Sequence, residues 1–311
     1  MDYKYPTPQL LFKAICDAIR AKTGSNNKII HQNIPDELDS IIIDEEEYNI
    51  EMQRFIDIIE GTSFAFVNDR ITTVKGALFY KFTNLTTIDL LKCTSIGNQA
   101  FYSCKSLTTI DLPKCTNIEY DAFRSCTSLT TVNFPECTSI GFCTFYGCTN
   151  LTTVNLPECT SIKDHAFEGC TNLTTVNLPK CTTLGSTAFG SCKSLATVNL
   201  PNCTTIEDEA FNKCTSLTTI NLPECTSIGD RTFSYCTNLV LVVLGVNQIV
   251  TLGGDHVFNN TTTMLIGRGY IYVPDNLVDS YKTATNWSTY ANQIKPISEL
   301  PSELKEEYGY A

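Results

Sequence analysis

LTTVNFPECTSIGFCTFYGCTN (129–150) runs straight into LTTVNLPECTSIKDHAFEGCTN (151–172), and the near-identity of these two 22-residue stretches decides the architecture. Such a unit buries its apolar edge only against its neighbours, so the repeat has to be read before any site. Aligned on the first leucine, it occurs seven times without insertion, from Leu85, Leu107, Leu129, Leu151, Leu173, Leu195 and Leu217. A worn copy precedes them at 63–84, where Phe66, Ile71, Val74, Phe79 and Phe82 fall in register with Ile88, Cys93, Ile96, Phe101 and Cys104. Leu239 opens a segment that soon loses the pattern, so the regular array is expected to end near there.

The head of each unit, Leu-x-x-Val-x-Leu with Thr and Asn between, alternates as a short strand with one buried face does. One such strand per coil, stacked in register, predicts a parallel sheet. Proline follows in six of the seven units (Pro113, Pro135, Pro157, Pro179, Pro201, Pro223) and ends the ladder, because it donates no hydrogen bond. The second half of the unit buries Cys, Ile, Ala and Phe. Its phenylalanine column, Phe101, Phe123, Phe145, Phe167, Phe189, Phe211 and Phe233, is expected to fill the middle of the coil.

Leu-x-x-Val-x-Leu-x-x-Cys-x-x-Ile followed by Ala-Phe-x-x-Cys resembles the BspA-like class of bacterial leucine-rich repeats over residues 63–245. The resemblance implies an α/β-type repeat solenoid with 22-residue coils and stacked parallel strands. It also implies contact with host or microbial surface molecules. YIYVPDNLVDSYKTATNWSTYANQIKPI (270–297) is similar to the C-terminal segment that often closes such arrays. It reads as a strand from Tyr270 to Val273, a turn at Pro274 and a short helix carrying Leu277, Val278 and Tyr281, anchored by Trp287. The expected organisation is therefore an N-terminal module over 1–60, a solenoid over 63–245 (degenerate coil 63–84, regular repeats 85–238) and a capping segment over 246–311.

Residues 1–60 change composition and period. Thr7-Pro8 starts a helix, Leu11, Ile15 and Ile19 follow at helical spacing, and Gly24 stops it. Shorter helices are predicted from Pro35 and through Met52, Phe55, Ile56 and Ile59, with the acidic run Asp44-Glu45-Glu46-Glu47 as a solvated linker. The stretch 12–41 resembles a small helical module of phage tail-associated proteins.

A net charge of −11 argues against a phosphate-binding surface, so nucleic acid is not an expected partner. No apolar stretch is long enough to span a bilayer, and MDYKYPTPQ lacks the apolar core of a signal peptide. Cell-surface location is implied by the resemblance, with virion and cytoplasm as the alternatives.

Fourteen cysteines from Cys93 to Cys236 recur every eleven residues, forming two columns of seven. Neighbours in a column lie about 4.8 Å apart, within disulfide reach, yet side chains in a parallel ladder point the same way instead of at each other. There is no Cys-x-x-Cys pair and only three histidines, so metal ligation is not spelled out and no cofactor is expected. Both columns read as reduced, buried, small hydrophobes. Cys143 stands where other units carry Gln99, Asp121, His165, Thr187, Glu209 or Arg231, and is expected to face solvent.

If leucine and valine point inward, an outward grid remains. It comprises Thr87, Thr109, Thr131, Thr153, Thr175, Thr197 and Thr219 beside Asp89, Asp111, Asn133, Asn155, Asn177, Asn199 and Asn221. This flat, mostly uncharged surface reads either as a site for an extended glycan or a protein, with ordered water a remoter option, or as a ladder that exists because identical neighbours bond to each other. Thr131, Asn133, Thr153, Asn155, Thr175 and Asn177 are its candidate ligand contacts. A second set is aromatic: Tyr102, Tyr120, Phe142 and Tyr146 occupy variable positions on successive coils, either as a recognition patch or as drift in unconstrained loops. Cys143 and His165 make a superficial Cys-His pair, but nothing in the pattern supplies a pocket, and Glu207, Asp208 and Glu209 cannot all face one substrate. The pattern points to a non-catalytic recognition or adhesion scaffold, with a phage tail component and an intracellular interaction scaffold as the alternatives.

Overall fold

The computed structural model describes residues 64–67 and 71–310; the helical module and acidic run expected over 1–60 lie outside them. Each coil contributes the expected strand to a parallel sheet that, among the described residues, has eleven strands running from Phe64–Val67 to Ile294–Pro296. Valine stacks on valine in strict register, as in Val132 on Val154 and Val176 on Val198. Each three-residue strand from Thr109–Asp111 to Thr197–Asn199 buries its middle residue and exposes the two beside it.

The coil carries two strands where the periodicity suggests one. Ser139–Ile140 and its counterparts pair into a second parallel sheet, nine strands among the described residues, from Thr73–Val74 to Thr251–Leu252. A two-residue strand is too short to show a period of two, so alternation does not reveal it.

The third side of the coil is built from turns. Phe123 N donates to Thr144 O of the next coil (2.9 Å), whereas Arg124 N turns back to Asp121 O (3.1 Å), and this alternation recurs in each repeat. It requires left-handed backbone at two places per coil: Asp121 (φ 55°) and Ser125 (φ 59°), Cys143 and Gly147, His165 and Gly169. Most of these positions hold no glycine, and each such residue sits about 1–2 kcal/mol above its preferred conformation. The stacked interior supports that cost.

Inside, the phenylalanine column forms an unbroken offset stack from Phe79 to Phe258, with neighbouring ring centroids 5.1–5.7 Å apart. Offset stacking at this separation adds to the gain from burying the rings. The worn first coil keeps the expected register at Phe66 with Ile88, Val74 with Ile96 and Phe79 on Phe101, after a shift of one residue between Phe64 and Ala65.

Winding continues beyond Leu239. Strands Leu241–Leu244 and Thr251–Leu252 extend both sheets, and Phe258 lies on Phe233. The Phe column steps by 22 residues up to Phe233 and by 25 to Phe258, so an insertion hides this last coil from a fixed-period alignment. Tyr270–Val273 is the expected strand, Asp275–Leu277 a single 3-10 turn and Val278–Thr283 the expected helix. Trp287 is fully buried, donates Nε1–H to Val250 O (2.7 Å) and meets Tyr281 edge-on. The hydroxyls of Tyr281 and Tyr290 donate to Gln248 O and Asp255 O, satisfying the irregular turns of the last coil. Among the described residues, no helix is long and apolar enough to cross a membrane.

The tail after Leu300 lies within the segment assigned to capping, but the sequence reading placed no helix there. The outward positions of the last strands are Leu241, Val243 and Tyr272 instead of Thr and Asn, and helix Ser302–Tyr308 folds over them with Leu300, Leu304 and Tyr310. The run LVVL (241–244), buried at all four positions, is the sequence signal for a strand covered on both faces.

Candidate functional site

The cysteine columns are inner seams. All fourteen are buried and free, and each donates its S–H to a backbone carbonyl. In the first column the acceptor is two residues on, as from Cys137 to Ser139 O (3.2 Å) and from Cys159 to Ser161 O (3.3 Å). In the second it belongs to the previous coil's phenylalanine, as from Cys148 to Phe123 O (3.1 Å) and from Cys170 to Phe145 O (3.3 Å). A purely apolar side chain of this size would fill the same space without that bond. Burial pushes every one of these thiols up, to about 12 at Cys104 and Cys148.

Cys143 corrects the sequence reading: it is 3% exposed, not solvent-facing. Its neighbours in the column, Asp121 and His165, are longer and only half-buried, so they cover the short thiol between them. Burial raises its pKa to about 11, a shift that the nearby Arg124 only partly opposes. His165 directs Nδ1 to Glu168 Oε2 (2.6 Å). The thiol is therefore protonated at neutral pH, which is the opposite of what a nucleophile needs.

The threonines divide by role. Thr130 and Thr152 donate their hydroxyls to the carbonyls of Thr108 and Thr130 one coil earlier (3.2 and 3.0 Å), and Thr160, Thr182, Thr204 and Thr226 form a similar ladder beside the short sheet. By contrast, the outward hydroxyls of Thr131, Thr153, Thr175 and Thr197 have no hydrogen-bond partner among the described residues, and these residues are exposed. Beside them the asparagines pair in twos, Asn155 Nδ2 to Asn133 Oδ1 (2.7 Å) and Asn199 Nδ2 to Asn177 Oδ1 (2.8 Å). At the C-terminal end Tyr310 donates its hydroxyl to Asn221 Oδ1 (3.1 Å), so the tail closes the grid there, and Thr219 and Asn221 are half-buried. At the other end burial, then the neighbouring Asp111, raises the pKa of Asp89.

The aromatic candidates lie on the turn side of the coil, apart from the grid. Tyr120 and Phe142 are exposed (47% and 46%), whereas Tyr102 and Tyr146 are half-buried. Tyr102 stacks on Tyr80 at 4.9 Å, the Arg124 guanidinium lies 4.3 Å from the Tyr146 ring centroid, and Phe142 meets His165 edge-on. Tyr80 and Arg124 were missed as members of this group, although both hold the repeat position of Tyr102 and Tyr146.

A model of the BspA type leucine-rich repeat region matches residues 31–152 and 138–265 in six copies. No curated protein matches the chain. Among solved structures, it is similar to a leucine-rich cell surface protein from Faecalibacterium prausnitzii (21% identity, TM-score 0.32, covering 74% of this chain and 82% of that one). It is likewise similar to a leucine-rich repeat protein of T. pallidum (22%, TM-score 0.40, 71% and 82%) and to one from Eubacterium ventriosum (20%, TM-score 0.43, 71% and 68%). The family match spans most of the chain and falls on the Leu, Cys and Phe columns that build both sheets, so the chain belongs to the family of BspA type leucine-rich repeats.

Proposed function

We propose that the protein is a non-catalytic recognition or adhesion scaffold that presents its outward sheet to a protein or glycan ligand. The observation that carries this reading is the column of free hydroxyls at Thr131, Thr153, Thr175 and Thr197, beside threonines whose hydroxyls are bonded to the backbone. A ladder kept because identical neighbours bond to each other would have each of these hydroxyls bonded to the next coil, and these four are not. Together with the exposed amide edges of Asn155 and Asn177, the column offers neutral donors and acceptors on a flat surface, suited to hydroxyl- or amide-bearing polymers. The raised thiol pKa of Cys143 supports the non-catalytic part of the reading.

Glycan-array and protein-array binding by the full chain, compared with a Thr153→Lys, Thr175→Lys variant, tests the grid. Loss of binding in the variant is expected; equal binding by both proteins rules that surface out. A second reading is a receptor-contacting tail component, supported only by the sequence resemblance of residues 12–41 to a helical module of phage tail-associated proteins. Mass spectrometry of purified virions against surface-shaved cells separates the two, and recovery from cytosol alone would refute both in favour of an intracellular scaffold.

A further inference from the structure

We propose a second interaction surface on the turn side of the N-terminal coils, where Tyr80, Tyr102, Tyr120, Phe142 and Tyr146 with Lys81, Lys105 and Arg124 dock a protein partner through an acidic segment. The inference rests on the scaffold reading above and assigns it a partner class at a different face.

The repeat supplies its own control for what the fold requires. The position of Tyr120 and Phe142 is Asn98, Asp164, Ser186, Asp208 or Asp230 in other coils, and that of Tyr102 and Tyr146 is Glu168, Gly190, Asn212 or Ser234. All of those coils pair into the same two sheets, so stacking does not demand an aromatic at either position. The aromatics are instead concentrated in adjacent coils at one end. Two of them stay nearly half exposed, an arrangement the interior gains nothing from.

Organisation points the same way. Tyr80 and Tyr102 stack at 4.9 Å, Arg124 covers the ring of Tyr146, and Asp121 Oδ1 accepts from Arg124 (3.2 Å) and holds it there. These rings are fixed before a partner arrives, and pre-ordered Tyr and Arg side chains are the residue types that dominate protein interfaces. Charge selects the partner. In a chain of net charge −11, Lys81 and Lys105 are exposed with no carboxylate partner among the described residues, and Lys81 sits 5.0 Å from the Tyr80 ring centroid. Within the patch, Asp121 is taken up by Arg124 and Glu119 accepts from Asn98 N (3.1 Å), whereas further along the same side Glu207, Asp208 and Glu209 stand together in one coil. A partner with an acidic segment is therefore attracted to the N-terminal coils and repelled from that end.

The test uses the full chain, a fluorescein-labelled random copolymer of glutamate and tyrosine as the acidic probe, and a lysine/tyrosine copolymer and polygalacturonate as comparisons. Two double variants, Tyr120→Ser with Phe142→Ser and Lys81→Ser with Lys105→Thr, borrow residues that other coils carry at the same positions, so unchanged melting is expected. The acidic copolymer should bind with an affinity that falls as salt is added, and each double variant should weaken it about tenfold. Equal binding by variants and wild type, or preference for the basic copolymer, overturns the patch and leaves the scaffold reading standing. Binding of polygalacturonate with the same variant dependence overturns the protein partner in favour of an acidic glycan. Copolymer binding unchanged by the neutral pair Thr153→Ala, Thr175→Ala is expected of a patch separate from the grid, and its loss there overturns the patch.

Discussion

Raising the pH above about 9 should unfold the solenoid, because fourteen buried thiols must stay protonated for it to stand. Burial pushes Cys137 and Cys181 to about 11 and Cys104, Cys148, Cys159, Cys225 and Cys236 to about 12, from an ordinary value of 9.0, and raises the rest of both columns too. Since the folded values lie above the unfolded ones, the thiols' contribution is fully present below pH 9 and is lost as pH climbs from there toward the folded values. One pH unit above the unfolded value, each thiol favours the unfolded chain by about 1.4 kcal/mol. Over both columns this reaches on the order of 20 kcal/mol, more than the roughly 5–15 kcal/mol that holds a typical domain. The assay is the urea midpoint by circular dichroism, under reductant, from pH 7 to pH 10.5, with return to pH 7 to check reversibility. The midpoint should be flat to about pH 8 and then collapse within about two units, and Cys148→Ala with Cys170→Ala should soften the collapse. A midpoint unchanged at pH 10, or thiols that titrate near 9 in the folded protein, would refute the claim that both columns are sealed inner seams.

Other outcomes follow from the same packing. Alkylation at pH 7 should leave the cysteines of both columns and Cys143 unlabelled in the folded chain and label all sixteen cysteines once it is denatured without reductant; protection after denaturation would mean disulfides. Gly169→Ala should cost about 1 kcal/mol in chemical unfolding, because φ is +74° while the nearest atoms to an added Cβ are at ordinary van der Waals distance; a cost above about 3 kcal/mol would contradict a purely backbone origin. Removing residues 301–311 should uncover Leu241, Val243 and Tyr272 and drive concentration-dependent self-association in sedimentation, whereas a monomer of unchanged stability would show that the tail covers nothing of consequence.

The Leu, Phe and Cys columns were legible because every coil repeats them at one period, and the strand Tyr270–Val273 and helix Val278–Thr283 were legible from alternation and helical spacing. What escaped has physical reasons. Two-residue strands such as Ser139–Ile140 show no alternation, and left-handed turns held by Asp121, His165 or Glu209 show no glycine. A three-residue insertion before Phe258 breaks the frame of the last coil, and the burial of Cys143 depends on longer neighbours one coil away. The candidate surfaces divide similarly. Outward threonines follow from strand alternation, but which hydroxyls are free depends on carbonyl directions that only the stacked coils fix, and Tyr310 reaches Asn221 from 89 residues away.

Neighbouring coils support one another through the phenylalanine stack, and a double-mutant cycle tests that support most directly. Phe145→Leu and Phe167→Leu, whose rings lie 5.1 Å apart, should each cost about 1–2 kcal/mol and couple by about 1 kcal/mol, measured by urea unfolding. Phe145→Leu with Phe211→Leu, three coils apart, should be additive. Equal coupling for the two pairs, or none for the adjacent one, would contradict the stacked solenoid as the source of stability.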